Sequence, residues 1–509
     1  MFGALDMFGW FRKRTVGGAA GNTPVVPSGG CATEGSHTAR AMDGPSSAAA
    51  TAPGPKPLAL AGRRVTVFGL GASGRAAARL LLREGARVTI TDDASGDAAL
   101  SAARELPEGV QFILGQPARA LENAELIVLS PGVPRSHPAV QAALDAGVEL
   151  IGEIELASRF LTAPLIGITG TNGKSTVTSL VGHILSGWKP HVFTGGNLGD
   201  PLAAAALSDT PWDFLVVELS SFQLESIRTL SPRIAVLLNL APDHLDRYAS
   251  VADYYRAKFH IFDYMKGGFA LLNHADAGTE LVTGHYLKGA SPVLFNVQTG
   301  AGKPLLDGVR VADGVITVRS GGRDVPVCPV TDLKILGTHN VENAQAAAAA
   351  CLLAGCPVPV IARGLSSFTA LAHRMEVVPS DDGVTWINDS KATNPASVIK
   401  ALDGQKGPVI LLLGGRDKGS DLFSLREHVF LHTRQVILFG EAAEKFRIVL
   451  QGYPNLEIAE SLREAVKLAR ASAAPGDTVL MSPACASFDE FRNYVHRGDS
   501  FRAWVREGS

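Results

Sequence analysis

Thr169-Gly170-Thr171-Asn172-Gly173-Lys174-Ser175-Thr176 follows the apolar run Leu165–Ile168 and precedes a helical pattern reaching about Leu185. Gly173-Lys174-Ser175 is the end of a phosphate-binding loop. There, backbone N–H groups cradle phosphates, a lysine reaches the terminal ones, and a hydroxyl from Ser175 or Thr176 can hold magnesium. Ile168 stands where the general pattern has its first glycine. A GK[ST] triplet is common by chance, but its position between a buried strand and a helix points to an α/β nucleotide-binding sheet.

Two strand ends downstream supply groups that a triphosphate site needs. Phe214 to Val217 delivers Glu218, and Ile234 to Leu238 delivers Asn239, Asp243, His244 and Asp246. Parallel strands bring their C-terminal ends to one edge, so these groups are expected beside Lys174. Oxygen ligands and an imidazole there suit magnesium. The alternative for Asp243 and Asp246 is to cap the next helix. That helix carries Lys258 on a mostly apolar face, ordinarily a snorkelling side chain. Residues 290–330 read as hairpins, and the alanine-rich helix opened by His339-Asn340 is expected to be capped by Asn340.

Upstream, the strand Arg64–Phe68 breaks at Gly69-Leu70-Gly71-Ala72-Ser73-Gly74 into a helix, and a second strand, Val88–Thr91, ends at Asp92-Asp93. This has the form of a dinucleotide fingerprint. The turn would serve a nicotinamide cofactor, a UDP-sugar or strand-to-helix geometry alone. The strand Leu126–Leu129 opens into Ser130-Pro131-Gly132-Val133-Pro134 at a similar edge. Downstream, polar clusters at strand exits include His373–Glu376, Asp389–Pro395, Gly414–Gly419 and Ser482–Asp489. Cys485 has no histidine motif and reads as a packed thiol.

The reading is therefore α/β with three units. Residues 58–152 form a Rossmann-like domain, 153–370 a central phosphate-loop domain with a parallel sheet, and 371–509 a second Rossmann-like domain. Residues 1–57 form a low-complexity leader. With 509 residues the chain exceeds one hydrophobic core, and 46% hydrophobic and 19% charged side chains describe a soluble globular protein. Its 47 basic and 49 acidic side chains leave a net charge of −2, which gives no electrostatic case for a nucleic-acid partner. Five scattered cysteines without CxxC spacing fit a reducing cytoplasm, and no apolar run is long enough to span a membrane. A monomer is expected.

The phosphate loop together with Gly195-Gly196-Asn197, Glu218-Leu-Ser-Ser-Phe-Gln-Leu-Glu225, Asp243-His-Leu-Asp-Arg247 and His339-Asn340 resembles the Mur ligases from about residue 60 to the end. Ser482-Pro-Ala-Cys-Ala-Ser-Phe-Asp489 and Arg497-Gly498 are similar to the branch that adds D-glutamate to UDP-N-acetylmuramoyl-L-alanine. The resemblance implies an ATP-dependent ligase that forms an acyl phosphate. The first glycine turn (Gly69, Gly71, Ser73, Gly74) would then face UDP, with Asp92 and Asp93 towards uridine, and Asn197 would touch substrate or metal. ATP would be held by Thr171, Asn172, Gly173, Lys174, Ser175 and Thr176, and from the domain junctions by Asn340, Asn343, Arg374 and Asp389. The resemblance makes Lys174, Glu218, His244 and Lys258 catalytic, with two magnesium ions. Ser175 and Glu218 would attend one ion, His244 and a carbamylated Lys258 the other. D-Glutamate would fall to Lys391, Thr393, Lys418, Ser487 and Tyr494.

Overall fold

The computed structural model describes residues 58–507, except 246, 288, 298–306, 336, 370–371, 406, 408 and 418. The expected leader and Lys418 therefore lie outside the described residues. Three sheets follow one another along the chain. The first contains β1 (Arg64–Phe68), β2 (Arg87–Asp92), β3 (Gln111–Leu114), β4 (Leu126–Leu129) and β5 (Glu149–Gly152), ordered β3-β2-β1-β4-β5 and parallel throughout. Valine and isoleucine dominate its centre because helices cover both faces.

The central sheet begins with β6 (Leu165–Thr169), β7 (Val192–Gly196), β8 (Phe214–Glu218), β9 (Ile234–Leu237), β10 (Phe269–Asn273) and β11 (Ser291–Phe295). An antiparallel extension of β12 (Gly308–Ala312), β13 (Val315–Ser320) and β14 (Arg323–Pro329) completes the order β14-β13-β12-β11-β10-β9-β6-β8-β7. β6 sits between β8 and β9, so the phosphate loop leaves the sheet flanked by the strand ends that carry Glu218 and Asp243. The first and central sheets share one continuous apolar core.

The third sheet holds β15 (Glu376–Val378), β16 (Thr385–Asn388), β17 (Val409–Gly414), β18 (Thr433–Phe439), β19 (Leu456–Ile458) and β20 (Thr478–Ala484), ordered β15-β16-β20-β17-β18-β19. Only β15 runs antiparallel, and separate apolar clusters pack on the sheet. Among the described residues no helix is long and apolar enough to cross a membrane.

Two local expectations change. Asn340 does not cap the helix Thr338–Leu353: Gly337 is the N-cap, and Asn340 lies buried inside the first turn, where its Oδ1 accepts from Asn343 Nδ2 at 2.9 Å. Gly337 has φ 94°, a left-handed entry that asparagine reaches only with strain, so the helix starts earlier than the side-chain preference suggests. The helix Val251–Phe259 is capped by Ser250, whose hydroxyl accepts from Asp253 N at 3.2 Å, and Asp243 is left to the sheet edge.

Candidate active site

The phosphate loop owes its shape to two left-handed glycines. Gly170 has φ 148° and Gly173 φ 87°, and a Cβ on Gly173 would stand 2.5 Å from Asn343 Oδ1. The closing helix Lys174–Ser186 has no side-chain cap, which leaves the N–H groups of its first turn and their partial positive charge at the loop. Thr171 ties the loop to the β9 exit: its hydroxyl donates to Ala241 O at 3.1 Å and accepts from Ala241 N at 3.0 Å. Asn172 is paired with Asn239 through both backbone and side chain.

Two lysines converge on one carbonyl. Lys174 Nζ donates to Gly170 O at 2.9 Å and to Thr171 O at 2.8 Å, and Lys258 Nζ donates to Gly170 O at 2.9 Å. Burial pulls the Lys174 ammonium down to about 8, although Glu218 and Asp243 favour its charge. Lys258 is 1% exposed, and burial followed by the nearby Lys174 holds its amine well below the ordinary range. Its Nζ lies 4.3 Å from the centre of the Tyr254 ring, which in turn stands 5.9 Å from the ring of His244. His244 adopts φ 55°, an unusual backbone for a non-glycine residue and one that aims its ring at Phe222, 4.9 Å away.

Glu218 ends β8 with its carboxylate buried. Burial pushes its pKa up, but Lys174, Lys391 and the Asn197 amide outweigh that and hold it below the ordinary carboxylate range. Asn197 Nδ2 donates to Glu218 Oε1 at 2.7 Å, whereas Glu218 Oε2 and Thr176 Oγ1 are buried with no hydrogen-bond partner. Orphaned oxygens next to a buried carboxylate and the Ser175 hydroxyl are a donor set of the kind that hard divalent cations take.

The third sheet reaches into the same place. Asn394, the N-cap of the helix Pro395–Asp403, donates through Nδ2 to Asp243 Oδ2 at 2.9 Å and to Asn172 Oδ1 at 3.4 Å, while Ser397 Oγ donates to Asn172 Oδ1 at 2.7 Å. Beside this contact an open cleft is lined by Asn172, Gly173, Asn343, Arg374, Asp389 and Lys391, among others. Of the residues expected at the nucleotide, Asn172, Gly173, Asn343, Arg374 and Asp389 line this one space, whereas Thr171, Lys174, Ser175, Thr176 and Asn340 do not. Burial raises the Asp389 carboxyl to about 6 even though Ser482 Oγ donates to it at 2.8 Å.

Lys391 Nζ donates to Tyr494 OH at 3.1 Å, which joins two of the residues expected at D-glutamate. Thr393 follows on the same segment, with its N–H on Lys391 O, and Ser487 is buried beyond β20. The segment is held by Arg497, wholly buried, which donates to Ser390 Oγ, Ser390 O and Cys485 O at 3.0, 2.8 and 3.1 Å. Cys485 itself is buried and in no disulfide.

On the first sheet, Gly69 and Gly74 are dictated by packing: a Cβ would lie 2.6 Å from Ser130 Cβ at the first and 1.8 Å from Gly69 O at the second. Gly71 faces open space at the uncapped start of the helix Ala72–Arg83, with Ser73 in that helix's first turn. Asp92 does not stand free for a ribose, because its carboxylate accepts from Leu70 N at 2.8 Å and Ala94 N at 3.0 Å. These turn residues do not line the small second cleft, which lies between the Ser130–Val133 loop, Glu153, Phe222 and Arg247. Arg247 bridges the two sheets there, donating to Pro131 O at 2.9 Å and stacking 3.7 Å from the Phe222 ring centre.

A phosphate loop, a buried carboxylate and a buried lysine at the edge of a mostly parallel sheet define a nucleotide-dependent phosphoryl-handling enzyme. Residues 63–152 match the MurD-like N-terminal domain of Mur ligases, 168–351 the Mur ligase middle domain, and 373–485 the Mur ligase glutamate ligase domain. The chain belongs to the Mur ligase family. A UDP-N-acetylmuramoylalanine--D-glutamate ligase of Myxococcus xanthus is 44% identical over 456 residues, covering 88% of this chain and 99% of its own. One of Syntrophotalea carbinolica is 42% identical over 442 residues, covering 86% of this chain and 96% of its own. MurF from Acinetobacter baumannii shares the fold with a TM-score of 0.56 at 19% identity, over 88% of this chain and 91% of that one.

Asn394, Arg247 and Arg497 received no role from the sequence. Asn394 had a visible signal, an asparagine directly before a proline that opens a helix, but that pattern predicts only a cap.

Proposed function

We propose that this chain joins D-glutamate to UDP-N-acetylmuramoyl-L-alanine at the expense of ATP, a cytoplasmic step in making peptidoglycan precursor. The observation that supports this reading most is the convergence of Lys174 and Lys258 on Gly170 O beside Glu218, in a chain so similar over its length to D-glutamate ligases. The alanyl carboxylate is a poor acyl donor because its leaving group would be oxide. It attacks the γ-phosphorus of ATP, the bond to ADP breaks, and an acyl phosphate forms. The D-glutamate amine then attacks the acyl carbon, the tetrahedral adduct collapses, and inorganic phosphate leaves with the former carboxylate oxygen.

In this scheme the chain chiefly positions groups and balances charge. Lys174 leaves the loop carbonyls for the terminal phosphates, whose charge favours its ammonium form against the cost of burial. The N–H groups of the Gly173–Thr176 turn cradle the chain of phosphates, and Asn340, Asn343, Arg374 and Asp389 hold the nucleotide from the junction. Ser175 and Glu218, and His244 with Lys258, would hold magnesium, which when bound would supply neutralisation of phosphoryl charge. Lys258 contributes as a carbamate: its neutral amine adds to carbon dioxide and releases a proton, which converts a base into an oxygen ligand. His244 accepts or orients the amine proton. Asn197 and the first glycine turn are assigned to the UDP substrate, and Lys391, Thr393, Lys418, Ser487 and Tyr494 to recognition of D-glutamate.

Phosphate release from ATP in the presence of magnesium and UDP-N-acetylmuramoyl-L-alanine should require D-glutamate and should stay at background with L-glutamate, L-lysine or diaminopimelate. Equal release with diaminopimelate, or none with any amino acid, would exclude the reading.

The Asn394 contact predicts a measurable share of nucleotide binding. Asn394→Asp keeps the helix cap but replaces the Nδ2 donor with a charge facing Asp243. Loss of one charge-assisted hydrogen bond, about 1.5–3 kcal/mol, corresponds to a fall in kcat/KM for ATP of roughly 10- to 100-fold with folding retained. Unchanged ATP kinetics would show that the bridge is incidental.

A further inference from the structure

On the third sheet's outer helices, far along the helix Pro395–Asp403 from Asn394, three ligating side chains meet. Asp403 is the last residue of that helix, and His428 and His432 lie one turn apart on the helix Arg426–His432. Asp403 Oδ1 is 2.8 Å from His428 Nδ1 and 3.5 Å from His432 Nε2, and the two imidazoles are nearly parallel at 15° with centroids 6.4 Å apart. One ligand atom from each residue falls within 4.8 Å of the others. Histidines four apart share a helical face, as in helical His-x₃-His metal sites, and the carboxylate comes from a helix C-terminus, whose dipole favours a cation.

We propose that Asp403, His428 and His432 form a binding site for a divalent transition metal such as zinc. Two imidazoles and one carboxylate provide three ligands of a tetrahedral set, with water as the fourth. Nitrogen donors select zinc, nickel or cobalt over magnesium, in contrast to the oxygen donors around Glu218. The three residues are partly exposed, so an ion can reach them, and nothing in the ligase reaction uses them. The ion would replace the hydrogen bond that now joins Asp403 to His428 and the looser approach of His432 to the same carboxylate. It would clamp the helix Pro395–Asp403 at its far end to the helix Arg426–His432, and so stiffen the element whose N-cap, Asn394, holds Asp243.

Tag-free full-length protein, stripped with chelator, is titrated with zinc by calorimetry and with cobalt by visible absorption. The wild type is expected to bind one equivalent more of either ion than the His428→Ala/His432→Ala double variant, and to melt at a higher temperature with zinc. Magnesium should leave that difference unchanged. The double variant should keep the wild-type circular dichroism and basal ligase rate, and any zinc bound at the magnesium donors appears in both proteins and cancels. Asp403→Asn should bind the same equivalent more weakly. Identical stoichiometry in the wild type and the double variant, or no cobalt band, would overturn the proposal.

Discussion

Lys258→Met should slow ligation by roughly two to three orders of magnitude without loss of stability. Methionine has nearly the length of lysine and fills a buried channel without a polar atom. Gly170 O, which loses one donor, keeps Lys174 Nζ at 2.9 Å, so no buried group is orphaned. Burial already disfavours the Lys258 ammonium, and removing it costs the fold no ion pair. The midpoint of thermal or denaturant unfolding should therefore hold or rise. A polar group placed for charge stabilisation contributes about 3–4 kcal/mol to the transition state, so the rate should fall roughly 100- to 1000-fold. Lys258→Arg makes the contrast: it imposes a permanent charge at the same buried point, and both stability and activity should drop. A Met variant that turns over normally would remove Lys258 from the mechanism. A ¹³C-labelled carbamate signal in the wild type, absent from the Met variant, would tie the loss to the modification.

The second large effect concerns stability. Glu155, in the helix Glu153–Ser158 that follows the first sheet, is wholly buried and accepts from the N–H groups of Arg228, Thr229 and Leu230 at 2.9, 3.0 and 3.0 Å. It also accepts from Thr229 Oγ1 at 2.6 Å and pairs with Arg159 at 2.7 Å. Glu155→Ala strands three backbone donors and a guanidinium together, and should cost roughly 3–5 kcal/mol in denaturant unfolding. Glu155→Gln keeps one acceptor oxygen and should cost less. Burial works against the carboxylate, but the loop donors and Arg159 prevail and lower its pKa. A depressed folded pKa stabilises above the unfolded value of about 4.3 and loses that contribution as pH falls through the folded value. The gap between wild type and Glu155→Ala should thus be constant near neutrality and narrow in acid. A gap independent of pH down to acid unfolding would refute the assignment.

Strand placement was largely legible because buried parallel strands read as short apolar runs ended by polar turns. β1 and β4 fall on the residues expected, and the central and third sheets carry their polar clusters at strand exits. Short strands with mixed composition, such as β5 and β19, gave no such run. Lys174 and Glu218 could be read from local pattern, since each ends a strand or begins a helix. Lys258 could not: helical spacing says which face a lysine occupies, not whether that face is roofed by a phosphate loop 88 residues earlier. Glu155 escaped for the same reason, because its donors come from a distant segment and nothing local distinguishes it from a surface charge; Arg497 stood in a motif that carried the resemblance, but its acceptors on Ser390 and Cys485 were not legible.

One stretch carries more than one duty. Between Asp389 and Asn394, Asp389 and Lys391 line the cleft beside the phosphate loop, Lys391 reaches Tyr494, and Asn394 holds Asp243. Six consecutive residues thus answer to two neighbourhoods, and a substitution that reshapes one disturbs the other. Such a segment resists piecemeal variation. New amino-acid preferences should arise more easily by exchange at Tyr494 or in the loop after β20, so resistance to inhibitors of this face should accumulate there and spare the shared strip.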